Sequence, residues 1–273
     1  MVQNRSLNLA DCKGDWVLVT GASSGIGREF CVQLARTGMN IVLVARREQL
    51  LHELSAQLQA EHGIRTMIIC LDLSEPNAPA EVQARVAKNN VRIRLLVNNA
   101  AFGPWGRFEK ASPELYEALI RLVAATPISL CLRFLPDLAT FPSSAIVNLS
   151  SPAALQPVPY KAAYSAAKTC LHNFSLALHE EWKERGILVQ TLLPGPTQSE
   201  LDAKGGAYKS ELPEARRPPS EIVRASLFHL AKGTPLVTTN KGTYKQRVFA
   251  GVFPVGMVIR EVAKMFRPPT DQR

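Results

Sequence analysis

Val17-Leu18-Val19-Thr20, followed at once by Gly21-Ala22-Ser23-Ser24-Gly25-Ile26-Gly27, is the stretch on which the fold turns. A short β-branched run stops at a glycine, and helical periodicity begins at about residue 25. Gly21 permits the tight turn and Gly25 lets backbone N–H groups approach an anion with no side chain in the way. Gly27 lets the helix pack closely on the strand. A helix N-terminus then presents unsatisfied N–H groups and a positive dipole end. Strand, glycine turn and helix in that order form a cradle for the pyrophosphate of a dinucleotide, in which Ser23, Ser24 and Ile26 are also candidate contacts.

Outward from this unit the pattern repeats. Apolar runs at 41–45, 66–70, 95–97, 145–149 and 188–193 alternate with segments of helical period at 25–37, 47–61, 79–89, 112–139 and 160–185. The runs are continuously apolar rather than alternating, as in strands covered on both faces, so a doubly wound parallel sheet is expected. The α/β class, three α/β/α layers and right-handed crossovers follow. Gly38, Gly63 and Gly186 fall where helix ends favour a left-handed residue. One Rossmann-type domain over 1–273 is expected, with its core at about 14–200, a polar lid loop at 195–219 and an extension at 220–273. In that extension Ser220 should cap a helix over 220–232.

The chain is 46% hydrophobic and 20% charged, with 35 scattered glycines and prolines, which excludes collagen-like and disordered readings. Five cysteines, with no CxxC and no histidine at zinc-finger spacing, suggest neither a disulfide framework nor a metal site. The start lacks a signal-peptide core and no run approaches 18 apolar residues, so the cytoplasm is expected. Residues 204–273 hold 13 of the 32 basic residues but 5 of the 23 acidic ones, and so carry +8 of the net +9. Such asymmetry favours phosphate-bearing substrates or anionic lipid, while no nucleic-acid motif accompanies it. Residues 248–259 carry no charge. They are read first as a core or dimer-packing segment, with contact at a membrane surface as the lesser alternative.

The residue ending the second strand decides which dinucleotide is held. An acid there would accept a ribose 2′-hydroxyl, whereas this chain has Ala45-Arg46-Arg47. Arg46 offers a guanidinium to a 2′-phosphate, with Ser23, Arg28 or Arg47 as neighbours, so NADP(H) is the expected cofactor.

Over residues 14–200 the sequence resembles the short-chain dehydrogenase/reductase family. Thr20 to Gly27 fits its TGxxxGxG turn and Asp72, followed by Leu73, its adenine-contacting aspartate. Asn98-Asn99-Ala100-Ala101 fits NNAG, with Ala101 in place of glycine. Ser151, Tyr164 and Lys168 match its catalytic set, and Pro194-Gly195 opens the nicotinamide-amide segment, where Thr197 and Ser199 supply hydroxyls. The resemblance implies a carbonyl/alcohol oxidoreductase acting on a small molecule, in a homodimer or homotetramer packed through 112–139 and 160–185.

The chemistry of the residues agrees. Tyr164 and Lys168 are four apart on one helix face, and an ammonium beside a phenol stabilises the phenolate. Ser151 would orient a substrate oxygen. Tyr160 is a rival phenol, but Tyr164 alone has a lysine four residues on. Where the family has a water-holding asparagine, the ungapped register places Val123, with Thr126 as another route for the relay. Phe102, Trp105, Phe108, Pro157 and Val158 should line an apolar substrate pocket. The expected activity is NADPH-dependent reduction of a lipophilic or acyl-type ketone or aldehyde; the alternative is a catalytically weak NADP(H)-binding regulatory or scaffold protein.

Overall fold

The computed structural model describes residues 6–198 and 216–268. Within them seven strands form one parallel sheet in the order β3-β2-β1-β4-β5-β6-β7. These are β1 (Trp16–Thr20), β2 (Asn40–Ala45), β3 (Thr66–Cys70), β4 (Ile93–Asn98), β5 (Ser144–Leu149), β6 (Ile187–Leu193) and β7 (Leu236–Thr238). Every residue of β2, β4, β5 and β6 is buried, which is why those runs are dominated by apolar residues, with Arg94, Asn98, Asn148 and Gln190 among the buried polar exceptions. The doubly wound α/β reading holds. β7 escaped notice because Leu236-Val237-Thr238 is too short to stand out; it pairs with Thr191–Leu193 of β6.

The helices are α1 (Gly25–Arg36), α2 (Glu48–His62), α3 (Ala78–Lys88), α4 (Pro113–Ile120), α5 (Thr126–Leu138), α6 (Ala162–Glu181), α7 (Pro219–Leu230), α8 (Lys241–Val252) and α9 (Val255–Phe266). The segment expected as one helix over 112–139 is continuous but widens into a π turn at Arg121–Ala125. Pro127 is one cause, because it has no N–H to give the carbonyl of Val123 four residues back. By length and composition Pro113–Leu138 could cross a membrane. Here Phe134, Leu130 and Leu138 lie in the core on one face of the sheet.

Two expectations are corrected, and a third lies mostly outside the described residues. Ser220 does not cap its helix: the helix begins at Pro219, whose fixed φ suits the first helical position, and Pro218 occupies the cap. The stretch 248–259 is not core, and its exposure bears only on that half of the core-or-dimer-packing reading. It forms the end of α8, a break at Phe253 and Pro254, and the start of α9, with only Val258 buried. Of the expected lid at 195–219, residues 199–215 lie outside the described residues.

One buried cation ties the N-terminal edge of the sheet together. Arg94 on β4 is 7% exposed. It donates to Asp15 Oδ2 at 2.6 Å, to the Asp11 carbonyl at 2.7 Å and to the Ser143 carbonyl at 2.9 Å. Arg94→Ala leaves these acceptors without their donor, so urea denaturation should show a loss of about 3 kcal/mol; a loss below about 1 kcal/mol would mean that the network is solvated.

Candidate active site

β1 and β4 are neighbours at the centre of the sheet, where the winding reverses, and the loops leaving them are joined side by side. The Thr20 hydroxyl donates to the Val97 carbonyl at 3.2 Å and accepts from the amides of Asn99 at 2.9 Å and Ala100 at 3.1 Å. Asn99 Nδ2 in turn donates to the Thr20 carbonyl at 2.8 Å. A Cβ on Gly21, at φ +67°, would meet Asn99 Nδ2 at 2.6 Å, and one on Gly27 would collide with the Gly21 carbonyl. The close approaches expected of Gly21 and Gly27 are realised, and Gly25 takes φ +55°. Ser24 stands at the N-cap of α1 with no side-chain bond to the helix amides. An open cleft outside this helix end is lined by Ser24, Gly25, Arg28, Gln198, Pro219 and Ser220. A cradle free of side chains at a helix N-terminus fits a pyrophosphate.

At the end of β2 the two arginines divide. Arg47 donates to Ser23 Oγ at 2.9 Å and to Ser24 Oγ at 2.6 Å, which places its guanidinium on the glycine turn. Arg46, expected to be the main phosphate contact, is exposed and reaches Asp72 Oδ2 at 3.2 Å. Arg47 therefore lies closer to the cradle; two adjacent arginines give the sequence no means of ranking them. Burial pushes the Asp72 carboxyl up, but bonds from the Ser74 hydroxyl and amide and from Arg46 outweigh it and hold the group below its ordinary value. Leu73 is buried and its carbonyl accepts from the Thr126 hydroxyl at 2.8 Å.

The Asn98 side chain does not face the cleft. It is 3% exposed and donates to Asn148 Oδ1 at 2.8 Å inside the fold, so Asn98 is available to a cofactor only through its backbone. The residue that reaches the turn is Asn99. Ala100 is brought to Thr20 by its amide. Gly195 follows Pro194 after β6 and donates its amide to the Thr239 hydroxyl at 3.2 Å, while Thr197 Oγ1 donates to the Gly195 carbonyl at 2.8 Å. Ser199 lies outside the described residues.

Ser151, Tyr164 and Lys168 come together across β5 and α6. Lys168 is 3% exposed and donates to the Leu149 carbonyl at 2.6 Å, and its Nζ is 5.7 Å from the centre of the Tyr164 ring. Burial lowers its pKa to about 7. Ser150, also buried, donates its hydroxyl to the Lys168 carbonyl at 2.9 Å and so fixes the helix against the strand. Ser151 caps the short helix at Pro152–Leu155, its hydroxyl oxygen accepting from the Ala153 amide at 3.2 Å. Tyr164 packs with Phe102, Leu119, Val123 and Ala124, and a Cβ on Gly103 would stand 3.0 Å from its ring. Val123 is thus an apolar wall of the site, and the Thr126 hydroxyl is already engaged by Leu73.

A pocket of about 120 Å³ opens beside Tyr164, lined by Trp105, Phe108, Tyr116, Tyr160 and Lys161 among others. Phe108 stacks on Tyr116 at 4.6 Å. Three expected lining residues fall outside it: Phe102 packs in the cluster behind Tyr164, Val158 is buried beneath α9 against Val258 and Val262, and Pro157 faces solvent. Trp105 is tied to the chain terminus, its indole N–H donating to the Phe266 carbonyl at 2.7 Å, a contact with no signal in the sequence.

The short chain dehydrogenase family profile matches residues 15–209, a span that holds the glycine turn and the Ser151, Tyr164 and Lys168 cluster. The chain belongs to the short-chain dehydrogenase family. Among its relatives within that family, the very-long-chain 3-oxoacyl-CoA reductase of Bos taurus is 32% identical over 185 residues, 66% of this chain and 59% of that protein. The inactive hydroxysteroid dehydrogenase-like protein 1 of Rattus norvegicus is 32% identical over 197 residues, 70% of this chain and 58% of that protein. This short-chain dehydrogenase therefore spans about three fifths of the length of these relatives. The short-chain dehydrogenase from Sphingobium yanoikuyae in complex with NADPH superimposes with a TM-score of 0.78 at 30% identity, covering 88% of this chain and 96% of that one.

The buried lysine makes stability depend on pH. Its ordinary pKa is 10.5 and its folded value is about 7. Below pH 7 both states carry the charge and the folded state bears the full cost of burial. Between pH 7 and 10.5 the unfolded chain holds more protons, so stability rises with pH. Relative to Lys168→Met, the protein should gain up to about 5 kcal/mol across that window in denaturation curves; parallel curves would place the ammonium in water.

Proposed function

We propose that this chain is an NADPH-dependent reductase that converts a ketone or aldehyde into an alcohol, acting on a lipophilic or acyl-type substrate. The observation that carries this reading is Tyr164, which borders the pocket on one side and packs against the buried Lys168 on the other. The Gly21-to-Gly27 cradle would hold the pyrophosphate, Asp72 the adenine end and Lys168 the ribose hydroxyls, with Arg47 beside Ser23 at the 2′-phosphate and Arg46 in support. When bound, the reduced nicotinamide supplies a hydride to the carbonyl carbon.

The protein's part is to place and protonate the carbonyl oxygen. Ser151 donates a hydrogen bond to that oxygen and fixes the carbonyl plane. Tyr164 gives its phenolic proton to the oxygen as the alcohol forms, and the phenolate left behind is stabilised by the Lys168 ammonium. Phe102, Val123 and the Trp105 loop keep water from the phenol, which strengthens that ion–ion attraction. The 3-oxoacyl-CoA reductases among the relatives, together with aromatic walls and a basic C-terminal quarter, favour an acyl thioester bearing phosphate. Exposed Leu115, Ile120 and Leu132 on α4 and α5 support assembly as a homodimer or homotetramer. The five unpaired cysteines fit a reducing compartment such as the cytoplasm.

Loss of reduced-cofactor absorbance over a panel of ketones and 3-oxoacyl thioesters tests this reading. Tyr164→Phe should cut kcat by about 10²–10⁴-fold while NADPH fluorescence still reports binding. Unaltered turnover in that variant would refute the assignment of the acid. Val123 and the inactive relatives favour a second reading, a dinucleotide-binding protein without turnover, and that protein would bind NADPH yet reduce no compound in the panel.

Cofactor choice is tested separately. Arg47→Ala should raise the KM for NADPH about ten- to hundredfold, as expected for a lost charge-assisted bond, and leave the KM for NADH little changed. Equal changes for both would place Arg47 away from the 2′-phosphate.

A further inference from the structure

The uncharged stretch between Arg247 and Arg260 is the tip of a helical hairpin, and it projects from the fold. Val252 is 72% exposed, Val255 65% and Phe253 45%, and Val248, Met257 and Ile259 are exposed with them. Apolar residues gathered at one projecting end, with no charge among them, are not scattered surface hydrophobes; a contiguous patch of this kind marks a contact surface.

The root of the hairpin is firmly seated, so the tip is not a fraying end. Val258 and Val262 of α9 pack on Val158, and Phe249 and Ala250 of α8 join the same cluster. Gln246 Nε2 donates to the Pro152 carbonyl at 2.9 Å, and the Trp105 indole holds the Phe266 carbonyl. At the tip, the rings of Phe249 and Phe253 lie 4.8 Å apart, stiffening the turn at Pro254.

Charge identifies the occupant. From 241 to 268 the sequence has six basic residues and one acid, Glu261, which is already paired with Lys264 at 2.7 Å. Lys245 and Arg260 are exposed on either side of the apolar tip, with Lys264 and Arg267 exposed further along α9. An apolar end flanked by cations matches a surface that is negative at its face and apolar just beneath, whereas a second copy of the same tip would bring like charges together. We propose that the tip of this hairpin inserts into the interface of an anionic phospholipid bilayer and attaches the protein peripherally to it. Trp105 and Lys161, which line the Tyr164 pocket, both touch Phe266 at the far end of α9, so the hairpin is joined through its root to the wall of that pocket.

The test needs no substrate and is independent of the reductase reading. Full-length protein is sedimented with phosphatidylcholine vesicles, with and without phosphatidylserine, at low and high salt. Wild type should pellet with the phosphatidylserine vesicles at low salt and be released as salt rises. The pair Val252→Asp and Phe253→Asp should weaken pelleting about tenfold or more, by withdrawing apolar surface from the bilayer. The pair Lys245→Glu and Arg260→Glu should weaken it comparably. All four positions are exposed, so melting temperatures should match wild type. Wild type remaining in the supernatant at low salt would overturn the proposal, as would full pelleting by the aspartate pair. So would an aspartate pair that dissociates an oligomer in analytical ultracentrifugation yet binds vesicles as before.

Discussion

At the centre of the sheet two loops meet with no room for a side chain between them, and the geometry of the cleft follows from that contact. Gly21 and Gly27 are obligatory for steric reasons: a methyl group on either would displace Asn99 or the Gly21 carbonyl. Only when the turn after β1 lies flat against the start of the β4 loop do the first amides of α1 point into open space. Thr20 and Asn99 fasten that arrangement with four hydrogen bonds, two accepted by the Thr20 hydroxyl from backbone amides. The cradle is thus preorganised, and no loop ordering is needed to expose its donors.

A second constraint is imposed across β5 and α6. A lysine with 3% exposure is normally avoided, because desolvating an ammonium costs several kcal/mol. Here the fold accepts that cost beside Tyr164, where the proposed mechanism needs a cation to support a phenolate. Ser150 clamps the Lys168 backbone and the Leu149 carbonyl takes its Nζ, so the charge is held by the strand that also carries Ser151. The order of residues in β5 and α6 therefore sets the spacing between acid, cation and orienting hydroxyl.

Elements with a periodic or compositional signature were legible in the sequence. Six strands stood out because burial on both faces leaves few polar residues, and the glycine turn because only glycine fits there. The proximity of Tyr164 and Lys168 could be read because helix spacing brings them together, whereas Ser151 is named only through the family resemblance. What failed depended on tertiary contact. Nothing local distinguishes Arg46 from Arg47, or shows that the Asn98 side chain turns inward to Asn148 while Asn99 reaches the turn. Val158 has the composition of a pocket wall, yet α9, far away in sequence, covers it. The run at 248–259 reads as a core or dimer-packing segment because an uncharged stretch usually is one, and only the three-dimensional arrangement reveals it on the outside of this chain.

Val123 changes how a proton must travel. A polar side chain at that position could hold a water beside the lysine, whereas valine makes the wall next to Tyr164 dry. Dryness strengthens the attraction between ammonium and phenolate but removes a stepping stone to solvent. The two effects are reconciled by the state of Lys168 itself. A lysine near 10.5 would release its proton to water too rarely at neutral pH to act as a relay. One lowered by burial to about 7 is poised between its two forms and can pass protons on in its own right. In the proposed mechanism, the same desolvation that makes the site costly to fold would let the lysine exchange protons beside an apolar wall at Val123.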